Sequence, residues 1–145
     1  MIHEFKITRR VAFSETDMVG IVHFSNFFRY VEEVEQAMFR SLGLSIVTRI
    51  DDRHYGWPRV KASCEYLQPL RFEDEFEIHL LIREVGTKSI TYDFVLYPVG
   101  DTAEQAVARG SMTTVCVVRD EAGNMTSTPI PAELAAQIQA GPADG

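Results

Sequence analysis

Hydrophobic and polar positions along this chain follow two different periods. Between residues 26 and 42, Phe27, Val31, Val34, Met38 and Leu42 recur every three or four positions. That spacing lines them up on one face of a helix. Arg29, Glu32, Gln36 and Arg40 fall mostly on the other faces. Ser25 or Asn26 is placed to cap the start with a side-chain oxygen. Gly43 is placed to stop the helix in the left-handed conformation. No other stretch has so clear a helical period, so this segment is read as the central helix.

Elsewhere the period is two. Residues 4 to 13 set Phe5, Ile7, Val11 and Phe13 against Lys6, Thr8 and Arg10, with Arg9 interrupting the apolar side. Residues 59 to 68 set Val60, Ala62, Cys64 and Tyr66 against Lys61, Ser63 and Glu65, and Pro69 ends the run. Residues 75 to 85 alternate through Phe76, Ile78, Leu80 and Ile82, and residues 88 to 98 through Ile90, Tyr92, Phe94 and Leu96. Residues 105 to 119 read as a last long strand. Between helix and strands, residues 44 to 58 carry Asp51, Asp52, Gly56 and Pro58 and read as a loop with a short helical piece near Ile46. Trp57 in that loop is either a lid on the core or a pocket wall. Pro129 and Pro131 precede a short Ala- and Gln-containing helix to about residue 140, and the tail over 141–145 is expected to fray.

Strands joined by short turns pair antiparallel, because such links cannot make a parallel crossover. The expectation is therefore a strand, a helix and then an antiparallel meander of four strands. Its apolar face needs cover, and the 26–42 helix is the only sizeable amphipathic element to supply it. This is an α+β architecture, a curved antiparallel sheet wrapped around one long central helix, known as the hotdog fold.

Composition narrows the function. The 145 residues suit a single domain over 1–145. A formal net charge of -7 argues against a nucleic-acid partner. The same charge disfavours an acidic carrier protein as partner. Cys64, Cys116, His23, His54 and His79 are scattered without metal-ligand spacing, so no metal is expected. No stretch approaches the ~20 apolar residues of a membrane-spanning helix. The first residues lack the basic and apolar pattern of a secretion signal. A reducing cytoplasm is the expected location.

Two stretches carry a resemblance. Thr16-Asp17-x-x-Gly20-Ile-Val-x-Phe-x-Asn26-Phe-x-x-Tyr30-x-Glu32 and Glu65-Tyr66-Leu67-x-Pro69-Leu70-Arg71-x-x-Asp74 resemble motifs of the 4-hydroxybenzoyl-CoA thioesterase-like family of hotdog acyl-CoA thioesterases. The first is the more specific, and with the strand order the likeness covers roughly residues 5 to 119. It implies that Asp17 is the catalytic aspartate and that backbone near Phe24 binds the oxyanion, with Gly20, His23 and Asn26 in the oxyanion and substrate region. It implies a coenzyme A surface near Lys88 and Ser89, with coenzyme A as part of the substrate and no separate cofactor. It also implies a homodimer or homotetramer. One departure stands out: the family often has an aromatic at the position of His23 with Tyr or His after it, where this chain has His-Phe.

The residues themselves fit that chemistry. Thioester hydrolysis needs a group to deliver water or attack the carbonyl, and a donor for the developing oxyanion. A thiol of pKa near ~8.5 leaves readily, so one carboxylate and a helix start can suffice. Unpaired amides at the start of the helix, helped by its dipole, are such donors. Taken alone, Asp17 is also a turn former ahead of Gly20, His23 a half-buried wall, and Glu32 and Glu33 helix formers. Asp17 could act as general base or as nucleophile. Two other readings use the same scaffold: a hydratase or dehydratase with His23 and Glu33 as acid and base, and a non-catalytic acyl-CoA or acyl-carrier binding module.

Overall fold

A computed structural model describes residues 1–142. The expected period-3.6 segment forms the helix α1, Asn26–Ser41. Phe27, Val31, Val34 and Met38 are buried as their spacing requires, and Tyr30, Glu35 and Phe39 widen the buried face beyond the expected stripe. Gly43 ends the helix at φ +77°, and the Leu44 amide donates to the Phe39 carbonyl at 2.9 Å. A glycine relieves the Cβ clash of that left-handed position. Neither expected cap forms at the other end. Ser25 is at the N-cap but its side chain bonds His23, and the Asn26 amide group turns back to the Glu15 carbonyl.

Five strands make the sheet that wraps α1: β1 (Glu4–Arg10), β4 (Arg59–Tyr66), β5 (Glu75–Val85), β6 (Ser89–Pro98) and β7 (Ala108–Val115). The remaining strands, β2 (Thr48–Ile50), β3 (Arg53–Gly56), β8 (Val117–Arg119) and β9 (Met125–Ser127), form a small second sheet. The large sheet is antiparallel throughout, in the order β1-β5-β6-β7-β4. Phe76, Ile78, Leu80 and Ile82 on β5 and Ile90, Tyr92, Phe94 and Leu96 on β6 all face α1 and are buried. The hotdog architecture expected from the two periods is present.

The expected four-strand meander is not. β5, β6 and β7 follow one another, but β4 pairs with β7 at the far edge instead of with β5. The link from β4 to β5 contains Pro69 and is too long for a tight hairpin. It crosses the start of α1, buries Leu70, and accepts the Val22 amide on the Leu70 carbonyl at 2.8 Å. As an edge, β4 leaves Val60 and Tyr66 exposed, so its alternation does not mark a buried face.

Other expectations change for local reasons. Residues 44–58 hold the β2–β3 hairpin instead of a loop with a helical piece. Its two-residue turn sets Asp51 and Asp52 at φ +51° and +62°. Both signs match the hairpin turn that follows the strand twist. The 105–119 run is two strands, broken at Cys116, where the chain passes from the large sheet to the small one. The C-terminal helix α2 spans only Ala132–Ala135. Beyond it Ile138 is buried beside Ile2, an extended pairing that helical backbone would forbid. Gly141 is tied by its amide to the Ile82 carbonyl at 2.8 Å, so the frayed tail does not begin there. Residues 143–145 lie outside the described residues. Trp57 packs edge-on against Phe39 with ring centroids 5.8 Å apart, which makes it a lid on the core. No described helix is long and apolar enough to cross a membrane.

Candidate active site

The segment joining β1 to α1 is a tight loop. A 3-10 turn, Phe13–Glu15, leads to Thr16, which bridges Val22, so residues 16–22 close on themselves. Within the loop the Asp17 amide donates to the Ile21 carbonyl at 2.8 Å, and the Gly20 amide donates to the Asp17 carbonyl at 3.0 Å. Gly20 turns the chain at φ +90° and is exposed. The Asp17 carboxylate shares in this turn through one oxygen only: Oδ1 accepts the amides of Val19 at 2.9 Å and Ile21 at 3.4 Å. Its Oδ2 has no partner among the described residues. The turn-forming and chemical roles of Asp17 are therefore compatible, since one oxygen orients the other.

That carboxylate borders an open cavity of about 450 Å³. Ile21, Val22, Phe24 and Phe27 line it from the loop and the helix start, and Tyr66, Leu67, Gln68, Pro69 and Leu70 from the β4–β5 link. The two sequence motifs, more than thirty residues apart in the chain, thus form the walls of one cleft. The crossing of that link over the helix start is what brings them together. Tyr66 stands edge-on to Phe24 and Phe27 at 6.3 and 5.0 Å, and its hydroxyl donates to the Phe24 carbonyl at 3.3 Å.

The amides at this end of α1 are nearly all occupied. Val22 donates to Leu70, His23 to Glu15, Asn26 to the His23 carbonyl and Phe27 to the Phe24 carbonyl. Ser25 donates to the His23 ring nitrogen at 3.3 Å. From residue 21 to 27, the Phe24 amide is the one without a protein acceptor among the described residues. An unpaired amide beside an apolar cleft is the kind of donor an oxyanion needs.

The other expected residues take different places. His23 is exposed and does not line the cavity; its Nδ1 lies 2.8 Å from Ser25 Oγ. Asn26 is buried and spends its Nδ2 on the Glu15 carbonyl at 2.9 Å. Lys88 and Ser89 sit at the β5–β6 hairpin, where Lys88 Nζ reaches Ser127 Oγ at 3.4 Å. Ser89 begins β6, whereas Leu96 of that strand pairs with Ala108, the partner of Tyr66. Seven residues of strand put Ser89 roughly 23 Å along the sheet from the cavity end. Glu33 is held by Arg9, with Nε at 3.0 Å.

One cluster had no place in the sequence reading. Glu15 Oε1 accepts Arg9 Nη1 at 2.8 Å, the Ala12 amide at 2.8 Å and the Tyr30 hydroxyl at 3.0 Å, while Oε2 accepts Arg9 Nη2 at 2.7 Å. The Arg9 guanidinium lies over the Tyr30 ring, 5.0 Å from its centroid. Arg9 holds the Glu15 carboxyl below the usual carboxylate range, and burial followed by the Glu15 charge pushes the Tyr30 phenol up. A signal was present. Arg9 breaks the apolar face of β1, and such an inward charge requires a partner.

Comparison with known proteins places the chain among relatives. A protein of Aquifex aeolicus is 36% identical over 125 residues, which are 86% of this chain and 91% of that one. The 1,4-dihydroxy-2-naphthoyl-CoA hydrolase of Nostoc punctiforme is 25% identical over 132 residues, 90% of this chain and 83% of that one. The solved structure of a gentisyl-coenzyme A thioesterase matches with a TM-score of 0.74 at 28% identity, covering 90% of this chain and 98% of that one. The model of the thioesterase-like superfamily matches residues 11–138. The chain belongs to that superfamily, and it is a thioester hydrolase built on the hotdog fold.

Proposed function

We propose that this protein hydrolyses an acyl-CoA thioester at the Asp17 cavity, releasing the free acid and coenzyme A. The observation that carries the assignment is that Asp17 Oδ2 and the Phe24 amide, neither with a partner among the described residues, belong to residues lining one apolar cleft. Water, or Asp17 itself, adds to the thioester carbonyl. The Phe24 amide takes the oxyanion, the C–S bond breaks and the thiolate leaves. Where water attacked, its proton passes through Asp17 to the thiolate. Where Asp17 attacked, water then hydrolyses the acyl-Asp17 anhydride, freeing the acid and supplying the thiolate's proton. The edges and faces of Phe24, Phe27 and Tyr66 suit an aromatic acyl group. Two of the relatives, by their names, act on aromatic acyl-CoAs.

The exposed edge of β4 is an unpaired row of backbone groups that a second copy would cover in a homodimer, and dimers can pair again into a homotetramer. Lys88 and Ser89 would then serve coenzyme A from a neighbouring copy, since within one chain they stand at the other end of the sheet. The hydratase alternative gains no support: His23 lies outside the cavity and Glu33 is committed to Arg9.

The test is thiol release from a panel of aliphatic and aromatic acyl-CoAs by the parent and by Asp17→Asn. A loss of about 10²- to 10⁴-fold in kcat is expected for the variant, the usual contribution of a positioned acid or base. Undiminished turnover in Asp17→Asn would move the catalyst elsewhere. Binding without turnover by the parent would instead favour the binding module.

A further inference from the structure

We infer that Glu15 is a positioning residue for the reaction, holding the Asp17 carboxylate in register with the amide at the start of α1. This rests on the role proposed for Asp17 and goes beyond it. The two groups that the chemistry needs lie on different pieces of chain: Asp17 on the closed loop, and the Phe24 amide just before the helix. Glu15 is where these pieces are tied to each other.

Its main chain does half of the tying. The Glu15 carbonyl accepts the His23 amide at 2.9 Å and Asn26 Nδ2 at 2.9 Å, so the residue just before Phe24 and the first residue of α1 hang on one oxygen. Its side chain does the other half. The carboxylate collects Arg9 from β1, the Ala12 amide from the preceding turn and Tyr30 from the second turn of α1. Arg9 is held in turn by Glu33 on the same helix, at 3.0 Å. Strand, loop and helix therefore meet at a residue only two positions before Asp17. Tyr30 is fully buried and the Glu15 side chain is 16% exposed, so little water is available to replace these bonds.

Glu15 does not line the cavity, and every oxygen it has is engaged by protein. It cannot touch substrate. What it can do is fix distances, and a misplacement of about 1 Å between reacting groups can cost on the order of 10²-fold in rate. Glu15→Gln keeps the shape and one acceptor but replaces the anionic oxygen facing Arg9 with an amide that repels it. Glu15→Asp keeps the charge with a shorter reach.

The experiment measures kcat and KM on the best acyl-CoA for the parent, Glu15→Gln, Glu15→Asp, Asp17→Asn and the double variant Glu15→Gln/Asp17→Asn. Arg59→Leu, which leaves the buried Glu35 unpaired outside the site, is the control for loss of stability. For Glu15→Gln, kcat is expected to fall about 10- to 100-fold with KM within about threefold, as for groups displaced from their reactive geometry. Glu15→Asp should recover part of the loss, and the double variant should be no slower than Asp17→Asn alone. Arg59→Leu should show no matching loss at an equal or larger fall in Tm. The inference is overturned if Glu15→Gln keeps kcat within twofold of the parent, or if its loss disappears on assay well below its Tm. A double variant slowed by the product of the single effects would also overturn it, because Glu15 would then act independently of Asp17. Asp17→Asn turning over like the parent would sink the Asp17 role itself, a failure visible without reference to Glu15.

Discussion

Two clusters in this molecule share one composition, a glutamate, an arginine and a tyrosine, yet they differ in almost every energetic respect. Around Glu15, part-buried between β1 and α1, each carboxylate oxygen has a donor and the tyrosine hydroxyl has an acceptor. Around Glu35, in the middle of α1, the carboxylate is fully buried and bound by Arg59, with Nη2 at 2.5 Å and Nη1 at 3.3 Å. The Tyr92 hydroxyl feels the Glu35 charge without meeting hydrogen-bond geometry, and Tyr92 Oη and Thr114 Oγ1 are buried with no partner among the described residues. Arg9 lowers the Glu15 carboxyl, its pairing outweighing desolvation. Burial raises that of Glu35, and Arg59 offsets only part of it. Depth decides the sign, because the desolvation of a charge grows with burial faster than one partner can compensate. The same residue types make a well-satisfied anchor where burial is partial and a desolvated pair in the core.

The sharpest way to break this contrast is to remove one partner in the core. Arg59→Leu leaves Glu35 buried and unpaired and should cost about 3–5 kcal/mol near pH 8. The double change Glu35→Leu/Arg59→Leu should recover most of that, as read from urea unfolding midpoints. An unchanged midpoint for Arg59→Leu would mean that Glu35 is indifferent to its partner.

A second prediction concerns pH, and the two clusters should respond with opposite signs. The folded pKa of Glu15 is depressed. Its stabilisation is present above the ordinary glutamate value of about 4.3 and is lost as pH falls through the lower folded value. The folded pKa of Glu35 is raised. Its contribution is full below about 4.3 and is lost as pH rises through the folded value. Thermal unfolding from pH 3 to 8 should show the Tm deficit of Glu15→Gln opening as pH rises from 3 to 5. Relative to the parent, Glu35→Gln should gain as pH rises. Slopes of the same sign would refute the contrast.

The smallest effects should come from the hydroxyls. Tyr30→Phe removes a satisfied bond and should cost about 1 kcal/mol. Tyr92→Phe removes an unsatisfied hydroxyl and should be neutral or slightly stabilising. Chemical denaturation of the two variants side by side checks this, and an equal cost for both would mean that Tyr92 has a partner after all.

Much of the fold was legible because periodicity reports burial directly. The inward residues of β5, β6 and α1 were readable from spacing alone, since each must leave water whatever the topology. Tyr30, Glu35 and Phe39 were not, because a helix enclosed by a curved sheet buries more than one stripe. The small sheet escaped notice because strands of three or four residues are too short to establish an alternation. The pairing of β4 was misplaced because neighbours in sequence are not always neighbours in the sheet, and only the crossing link decides. The motif drew attention to Asp17 and Phe24, which the structure sets on one cavity, whereas the arginine and tyrosine that hold Glu15 looked like an interruption and a surplus aromatic.

By itself, then, the sequence determined which residues leave water, where the helix runs, and which carboxylate stands ahead of it. These follow from local periodicity and from turn chemistry within a few residues. Only the tertiary structure decided that the β4–β5 link crosses the helix start, that Phe24 keeps a free amide, that Glu15 joins strand to helix, and that Glu35 is deep enough to resist ionisation. Those properties depend on distances between segments remote in the chain and on how much water is left between them, and neither is encoded in any local pattern.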